Sequence, residues 1–246
     1  MSPLYWIPPT AKTLLDVGCN VGELLMDCSQ RYGSMKLCGV DVNPNAIAVA
    51  RKRLPQADIH HITGNALPFP DASFDCVTCI EVIEHVPAAS RAGAIREIWR
   101  VLAPGGTFVL RCPHDGLFAA LDSNNLRFRF PGIYRRLIGK GLRDNGYAGG
   151  SDDVVWHHHF TKSELLNLVG PEFVLQDTCY GALAVFPIGD ILRWPFYRLK
   201  MHGNPILRAI DKVMEWDMGI NYGEAAFTIL LLLRKPTDLE CTTPSL

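Results

Sequence analysis

The stretch Leu14 to Leu25, LLDVGCNVGELL, constrains this chain more than any other. An apolar run of strand length ends in Asp16, passes through the glycine-bracketed loop Gly18-Cys19-Asn20-Val21-Gly22, and resumes as Glu23-Leu24-Leu25-Met26 in a helix-forming register. A strand, a tight turn and a helix start in that order bring unsatisfied backbone N–H groups to one point, and glycines let a ligand approach them. The pattern predicts a small-molecule cradle. It is neither the G-x-G-x-x-G of a dinucleotide fingerprint nor a P-loop with Gly-Lys-Ser/Thr at the helix start.

The elements that follow alternate between strand and helix. Lys36 to Asp41 (KLCGVD) reads as a second strand ending in a carboxylate. Asn43 and Pro44 supply an N-cap and a first-turn proline, and Ile47, Ala50 and Leu54 fall on one helical face. Asp41 is then at the end of a strand beside the glycine loop, where a carboxylate can accept from two ribose hydroxyls or simply cap a turn. A third strand near Ile59 and a fourth from Phe74 to Ile80 come next. Ile95, Ile98, Trp99 and Leu102 repeat at helical spacing up to the Ala103-Pro104-Gly105-Gly106 turn, and Thr107 to Leu110 reads as a fifth strand. Thr161 and Glu164 have capping-box spacing ahead of a helix through Val169, and Glu172 to Cys179 and Glu224 to Arg234 read as two further strands.

With 246 residues, 48% hydrophobic and 20% charged, residues 1–246 suit one domain with an elaborated cap. A formal charge of -1 argues against a globally basic nucleic-acid binder. Met1 to Thr10 lacks the features of a signal peptide, and the apolar run Ala225 to Leu233 is far short of the ~20 residues a membrane span needs. A cytoplasmic protein is expected. The eight cysteines then read as reduced thiols, and Cys76 and Cys79, three apart on a strand, point to opposite faces rather than at one metal.

Three phrases carry a family resemblance. The loop D-x-G-x-N-x-G resembles motif I of class I S-adenosylmethionine-dependent methyltransferases, with Asn20 where that motif has its middle glycine; asparagine tolerates left-handed angles, so the turn survives. The phrase GNALPFPDASFDCV resembles the more specific G-D-A-x-x-L-P-F-P-D-x-S-F-D-x-V pattern, with Asn65 in place of the acidic residue that binds the adenine amino group. REIWRVLAPGGTFVL resembles the family's long helix, Pro-Gly-Gly turn and fifth strand. The chain is similar to the broad ubiquinone-biosynthesis-like group (methyltransferase type 11), well over its first half and loosely beyond.

That resemblance implies an α/β fold: a Rossmann-like three-layer sandwich whose seven-stranded, mostly parallel sheet ends in an antiparallel strand. It also implies a cofactor-binding half at 1–112, and a helical lid built from insertions at about 113–160 and 181–222. The implied cofactor is S-adenosyl-L-methionine, held by Asp16, Gly18, Cys19, Asn20, Gly22, Asp41, Val42, Asn65, Ala66, Leu67, Ile80 and Glu81. The basic and aromatic stretches Leu121 to Arg143 and Arg193 to Lys212 suit an anionic or lipid-linked small-molecule acceptor, peripheral contact with a membrane, or merely a solvated face.

Methyl transfer at a hydroxyl needs a base. His85 and His114 fall after strands at the edge where open α/β sheets bind ligands, and His158 precedes a helix N-terminus within an H-x-H-F-[ST]-x-x-E-L phrase that several related methyltransferases carry. Glu81-Val82-Ile83-Glu84-His85 also resembles the E-x-x-E-H of metal-assisted methyltransferases; on a helix, Glu81, Glu84 and His85 would share a face for Mg or Mn. The function expected is transfer of a methyl group to a small-molecule, lipid-linked or glycan-linked acceptor at oxygen. The rivals are metal-assisted RNA 3'-end methylation and a non-catalytic S-adenosylmethionine-binding protein.

Overall fold

The computed structural model describes residues 3–123, 125, 129, 130, 132, 157–199, 201 and 203–237. The strands are β1 (Thr13–Val17), β2 (Lys36–Asp41), β3 (Asp58–His61), β4 (Phe74–Ile80), β5 (Leu102–Pro113), β6 (Val174–Gly181) and β7 (Thr228–Arg234). The described helices are α1 (Glu23–Arg31), α2 (Pro44–Arg53), α3 (Ala88–Val101), α4 (Lys162–Val169), α5 (Val185–Arg198) and α6 (Pro205–Met218). The strands form one seven-stranded sheet in the order β3-β2-β1-β4-β5-β7-β6. β1 to β5 pair in parallel, and β7 is antiparallel.

This order explains why β1 and β4 are rich in apolar residues. Both are interior strands, so Leu14, Leu15, Cys76 and Val77 are all fully buried. It also fixes where a ligand can bind. The chain lays β2 and β3 on one side of β1 and then returns to place β4 on the other, so the loops after β1 and β4 diverge over a crevice at their carboxyl ends.

Local chemistry sets the element ends. The Asn43 side chain accepts from Asn45 N at 3.0 Å and Ala46 N at 3.3 Å, and Pro44 opens α2. The Ala103 to Gly106 turn expected from the sequence is instead part of β5. Gly105 N donates to Lys235 O and Lys235 N to Gly106 O, so the glycines continue the ladder past β7. Lys235 is itself buried, and its Nζ donates to Trp99 O at 2.8 Å and Leu102 O at 2.7 Å, satisfying carbonyls at the end of α3.

Two compact units are present. One comprises Pro3–Cys112, Lys162–Thr178 and Leu230–Leu246, the other Met1–Ser2, Pro113–Thr161 and Cys179–Ile229. The first holds β1 to β4 and α1 to α4. In the second, α5 and α6 pack closely enough that a Cβ at Gly189 would lie 2.5 Å from Met214 Sδ. Asp217, fully buried, joins them: Oδ2 accepts from Leu183 N and Phe186 N at 3.0 Å, and Oδ1 from the Tyr222 hydroxyl at 2.9 Å.

Much of the first basic and aromatic stretch (Arg127, Phe128, Tyr134, Arg135, Arg136, Leu137, Lys140, Arg143), and Lys200 of the second, lie outside the described residues. Seven cysteines, Cys76 and Cys79 among them, are buried thiols outside any disulfide. No described helix is long and apolar enough to cross a membrane.

Candidate active site

The turn after β1 closes on itself. Gly18 N and Cys19 N both donate to Val40 O, at 2.8 and 2.9 Å, Gly22 N donates to Cys19 O at 2.8 Å, and Asn20 N donates to Asp41 Oδ2 at 2.8 Å. These amides shape the loop rather than facing outward, which corrects the simple picture of a row of open donors. Gly18, Asn20 and Gly22 take φ of 78°, 47° and 82°, so the asparagine does occupy the left-handed region the sequence requires of it. A Cβ on Gly18 would lie 2.2 Å from Val82 Cγ2, so the position is glycine for space as well as for angle. Gly39 in β2 admits Cys19 Sγ and Leu25 Cδ1 to within 2.8 and 2.9 Å of where its Cβ would be, a packing requirement not visible in the sequence.

A hollow of about 130 Å³ opens over this turn, lined by Asp16, Gly18, Cys19, Asn20, Ile80 and the start of α1. Asp16, at its base, is 4% exposed and accepts from the Thr78 hydroxyl at 2.7 Å. Burial pushes its carboxyl from 3.8 up to about 7; the Thr78 hydroxyl opposes the rise and the Asp41 charge adds to it. A buried acid of this kind ionises more readily when a cation is delivered beside it. Burial also pushes the Cys19 thiol up, so it stays neutral. Asp41 is held at both oxygens by backbone, Oδ2 by Asn20 N and Oδ1 by Asn43 N at 2.8 Å each. Val42 beside it is 54% exposed.

Asn65, Ala66 and Leu67 do not line the hollow; they stand on the loop after β3. Asn65 Nδ2 donates to Ser90 O at 2.8 Å and Leu67 N to Glu97 Oε2 at 2.9 Å, which ties the loop to α3. Arg100 completes the tie, donating to Phe69 O at 2.8 Å, Leu67 O at 3.0 Å and both Glu97 oxygens. Its guanidinium holds the Glu97 carboxyl down at about 2. The roles of Arg100 and Glu97 are not visible in the sequence because the loop backbone they hold lies about thirty residues away.

The segment after β4 is a turn, not the helix on which Glu81, Glu84 and His85 would share a face. Glu81 has φ of 55° and its Oε1 lies 2.9 Å from Arg111 Nε. Glu84 is fully buried, and burial, followed by the Glu81 charge, raises its carboxyl well above the usual range. His85 points outward, 61% exposed, with Nε2 3.9 Å from Glu84 Oε1.

The other two candidate histidines belong to the second unit. His114, just past β5, is buried, with Nδ1 3.0 Å from Ala226 O. His158 packs edge-on against Phe160 at 4.5 Å between ring centres. Its neighbours His157 and His159 turn the other way, onto Asp122, at 2.6 and 2.8 Å. Asp122 carried no motif that would have flagged it.

The family model described as "Methyltransferase domain" matches residues 15–110. A demethylmenaquinone methyltransferase of Deinococcus radiodurans is 35% identical over 145 residues, 56% of each chain. A ubiquinone biosynthesis O-methyltransferase of Pseudomonas paraeruginosa is 36% identical over 131 residues, 48% of this chain and 55% of that one. The chain thus spans about half the length of these curated relatives. In fold, it is similar to a putative sarcosine dimethylglycine methyltransferase of Galdieria sulphuraria, with TM-score 0.60 over 92% of this chain and 78% of that one, at 13% identity.

Proposed function

Because this chain belongs to the class I S-adenosylmethionine-dependent methyltransferases, we propose that it methylates an oxygen of a small-molecule acceptor carried on a lipid. The observation that carries the methyl-donor reading is the buried Asp16 carboxyl at the base of the glycine hollow. The hollow suits a ligand with a cationic amino-acid end, since a positive charge there offsets the desolvation that Asp16 suffers. Asp41, fixed by two amides at the end of β2, suits a ribose diol. The loop at Asn65 to Leu67 suits the adenine: Asn65 keeps an amide oxygen to accept an exocyclic N–H while its Nδ2 serves Ser90.

When bound, the cofactor supplies an electrophilic methyl group on a sulfonium. The protein's task is then to align and desolvate, a contribution that reaches ~7 to 11 kcal/mol for well-oriented reactants. In this reading Gly18 and Gly22 keep the turn open to the ligand, Asp16 balances its charge and Ile80 shields it. His85, following β4, takes the proton from the acceptor hydroxyl. His114 and His158 are the other candidates for that role.

Two observations support a lipid-linked acceptor. The two relatives above are named for quinone substrates or pathways. In addition, α6 exposes Ile206, Val213 and Trp216, at 58%, 49% and 63%, beside the basic Arg208 and Lys212. Incubating the protein with methyl-labelled S-adenosylmethionine and a cell extract tests the reading. Label is expected in the organic-solvent fraction, in a base-stable ether; label confined to RNA or protein, or none above a no-enzyme control, would refute it.

A further inference from the structure

The geometry points to a site for a divalent transition-metal ion of the zinc type formed by Asp122, His157 and His159. This site is independent of the methyl-transfer reading. The three side chains each offer one ligand atom, and these atoms all lie within 4.8 Å of one another. Asp122 Oδ2 is 2.6 Å from His157 Nδ1 and 2.8 Å from His159 Nε2. Two imidazoles and one carboxylate are a donor set that suits zinc and its first-row neighbours, leaving at least one position for an exchangeable ligand.

The surroundings are those of a ligand set and not of chance contacts. Asp122 and His157 are 3% and 8% exposed, and the His159 side chain 7%. His159 Nδ1 lies 3.0 Å from His114 O, the backbone-carbonyl partner that orients a metal-bound imidazole through its second nitrogen. His157 is fixed through its backbone, Asn125 Nδ2 donating to His157 O at 2.8 Å and His157 N donating to Asn125 Oδ1 at 2.9 Å. Asn125 is itself 1% exposed.

The hydrogen-bond pattern accommodates a cation at the same place. Both ring nitrogens of His159 face acceptors, Asp122 Oδ2 on one side and His114 O on the other. A neutral imidazole has one N–H and cannot donate to both. A cation at Nε2, like a second ring proton, satisfies Asp122 Oδ2 and leaves the N–H on Nδ1 for His114 O. Metal–ligand bonds of ~2.0 to 2.1 Å set ligand atoms about 3.3 Å apart, so His157 and His159 need back away from Asp122 by about 0.7 and 0.5 Å.

The full chain, stripped with EDTA and returned to chelator-free buffer, is titrated with Co2+ and followed by visible absorption. The expected result is d–d bands saturating near one equivalent, displacement of Co2+ by Zn2+, and a Tm raised by at least about 4 °C in excess Zn2+. Asp122→Asn and His159→Gln should weaken binding at least about 100-fold, while His158→Gln leaves it unchanged. If folded wild-type protein shows no bands and holds no metal by elemental analysis, a plain hydrogen-bonded network is what exists and the site is refuted. Folded Asp122→Asn or His159→Gln that binds like wild type refutes it equally. Should either variant fail to fold, the wild-type titration decides.

Discussion

Asp16→Asn should make the ligand-free protein more stable at alkaline pH while weakening the proposed binding of the methyl donor in the glycine hollow. The wild-type carboxyl is buried beneath the glycine turn and shifted from 3.8 up to about 7, chiefly by desolvation. The folded state therefore keeps a proton that the unfolded chain gives up near pH 4. A raised acid of this kind contributes its full share of stability below the unfolded pKa, and that share is lost as pH rises through the folded pKa. The rise from 3.8 to about 7 corresponds to about 4 kcal/mol in total, of which about 2 kcal/mol is lost between pH 5 and pH 8. Asparagine is nearly isosteric and has no charge to desolvate, and its Oδ1 can still accept from Thr78. Urea denaturation of both proteins at pH 5, 6, 7 and 8 measures the difference. The advantage of Asp16→Asn should grow by about 2 kcal/mol across that range, and donor affinity should fall at least about tenfold. Parallel stability profiles for the two proteins would refute the argument that Asp16 is a strained acid held ready for a cation.

Gly18→Ala meets both a left-handed backbone angle and Val82 Cγ2 at 2.2 Å, and should cost about 2 to 4 kcal/mol in chemical denaturation. Adding Val82→Ala should return the steric part and leave the backbone part; a Gly18→Ala loss below about 0.5 kcal/mol would contradict the close approach. Arg100→Ala removes the donor to Leu67 O and Phe69 O and frees Glu97, so stability should fall by about 1 to 3 kcal/mol. Hydrogen exchange at the Leu67 amide should quicken about tenfold or more, and unchanged exchange would show that the loop is held by other means.

The strand and helix order was legible because the signals are local. Buried parallel strands read as apolar runs, Asn43-Pro44 reads as a helix start, and the glycine turn after β1 reads as a cradle. Asn20 could be accepted as a turn residue from its chemistry alone, and it takes the left-handed angle. What local patterns missed were consequences of tertiary approach. The Ala103 to Gly106 segment looked like a turn because Lys235, its partner in the ladder, lies far along the chain. Glu81, Glu84 and His85 would share a face only on a helix, and the segment is a turn in which Glu84 is buried and Glu81 pairs with Arg111. Asp122 reaches His157 across thirty-five positions, a distance over which no periodicity carries information.

The hollow over Asp16, whose Asn20 amide donates to Asp41, is the proposed place of the methyl donor. Isothermal titration of S-adenosylmethionine into wild type and Asp41→Ala tests it most directly. One site per chain is expected in wild type, with affinity reduced at least about tenfold in the variant, from loss of a charged acceptor for the ribose. No heat of binding in wild type, or identical affinity in folded Asp41→Ala, would contradict it.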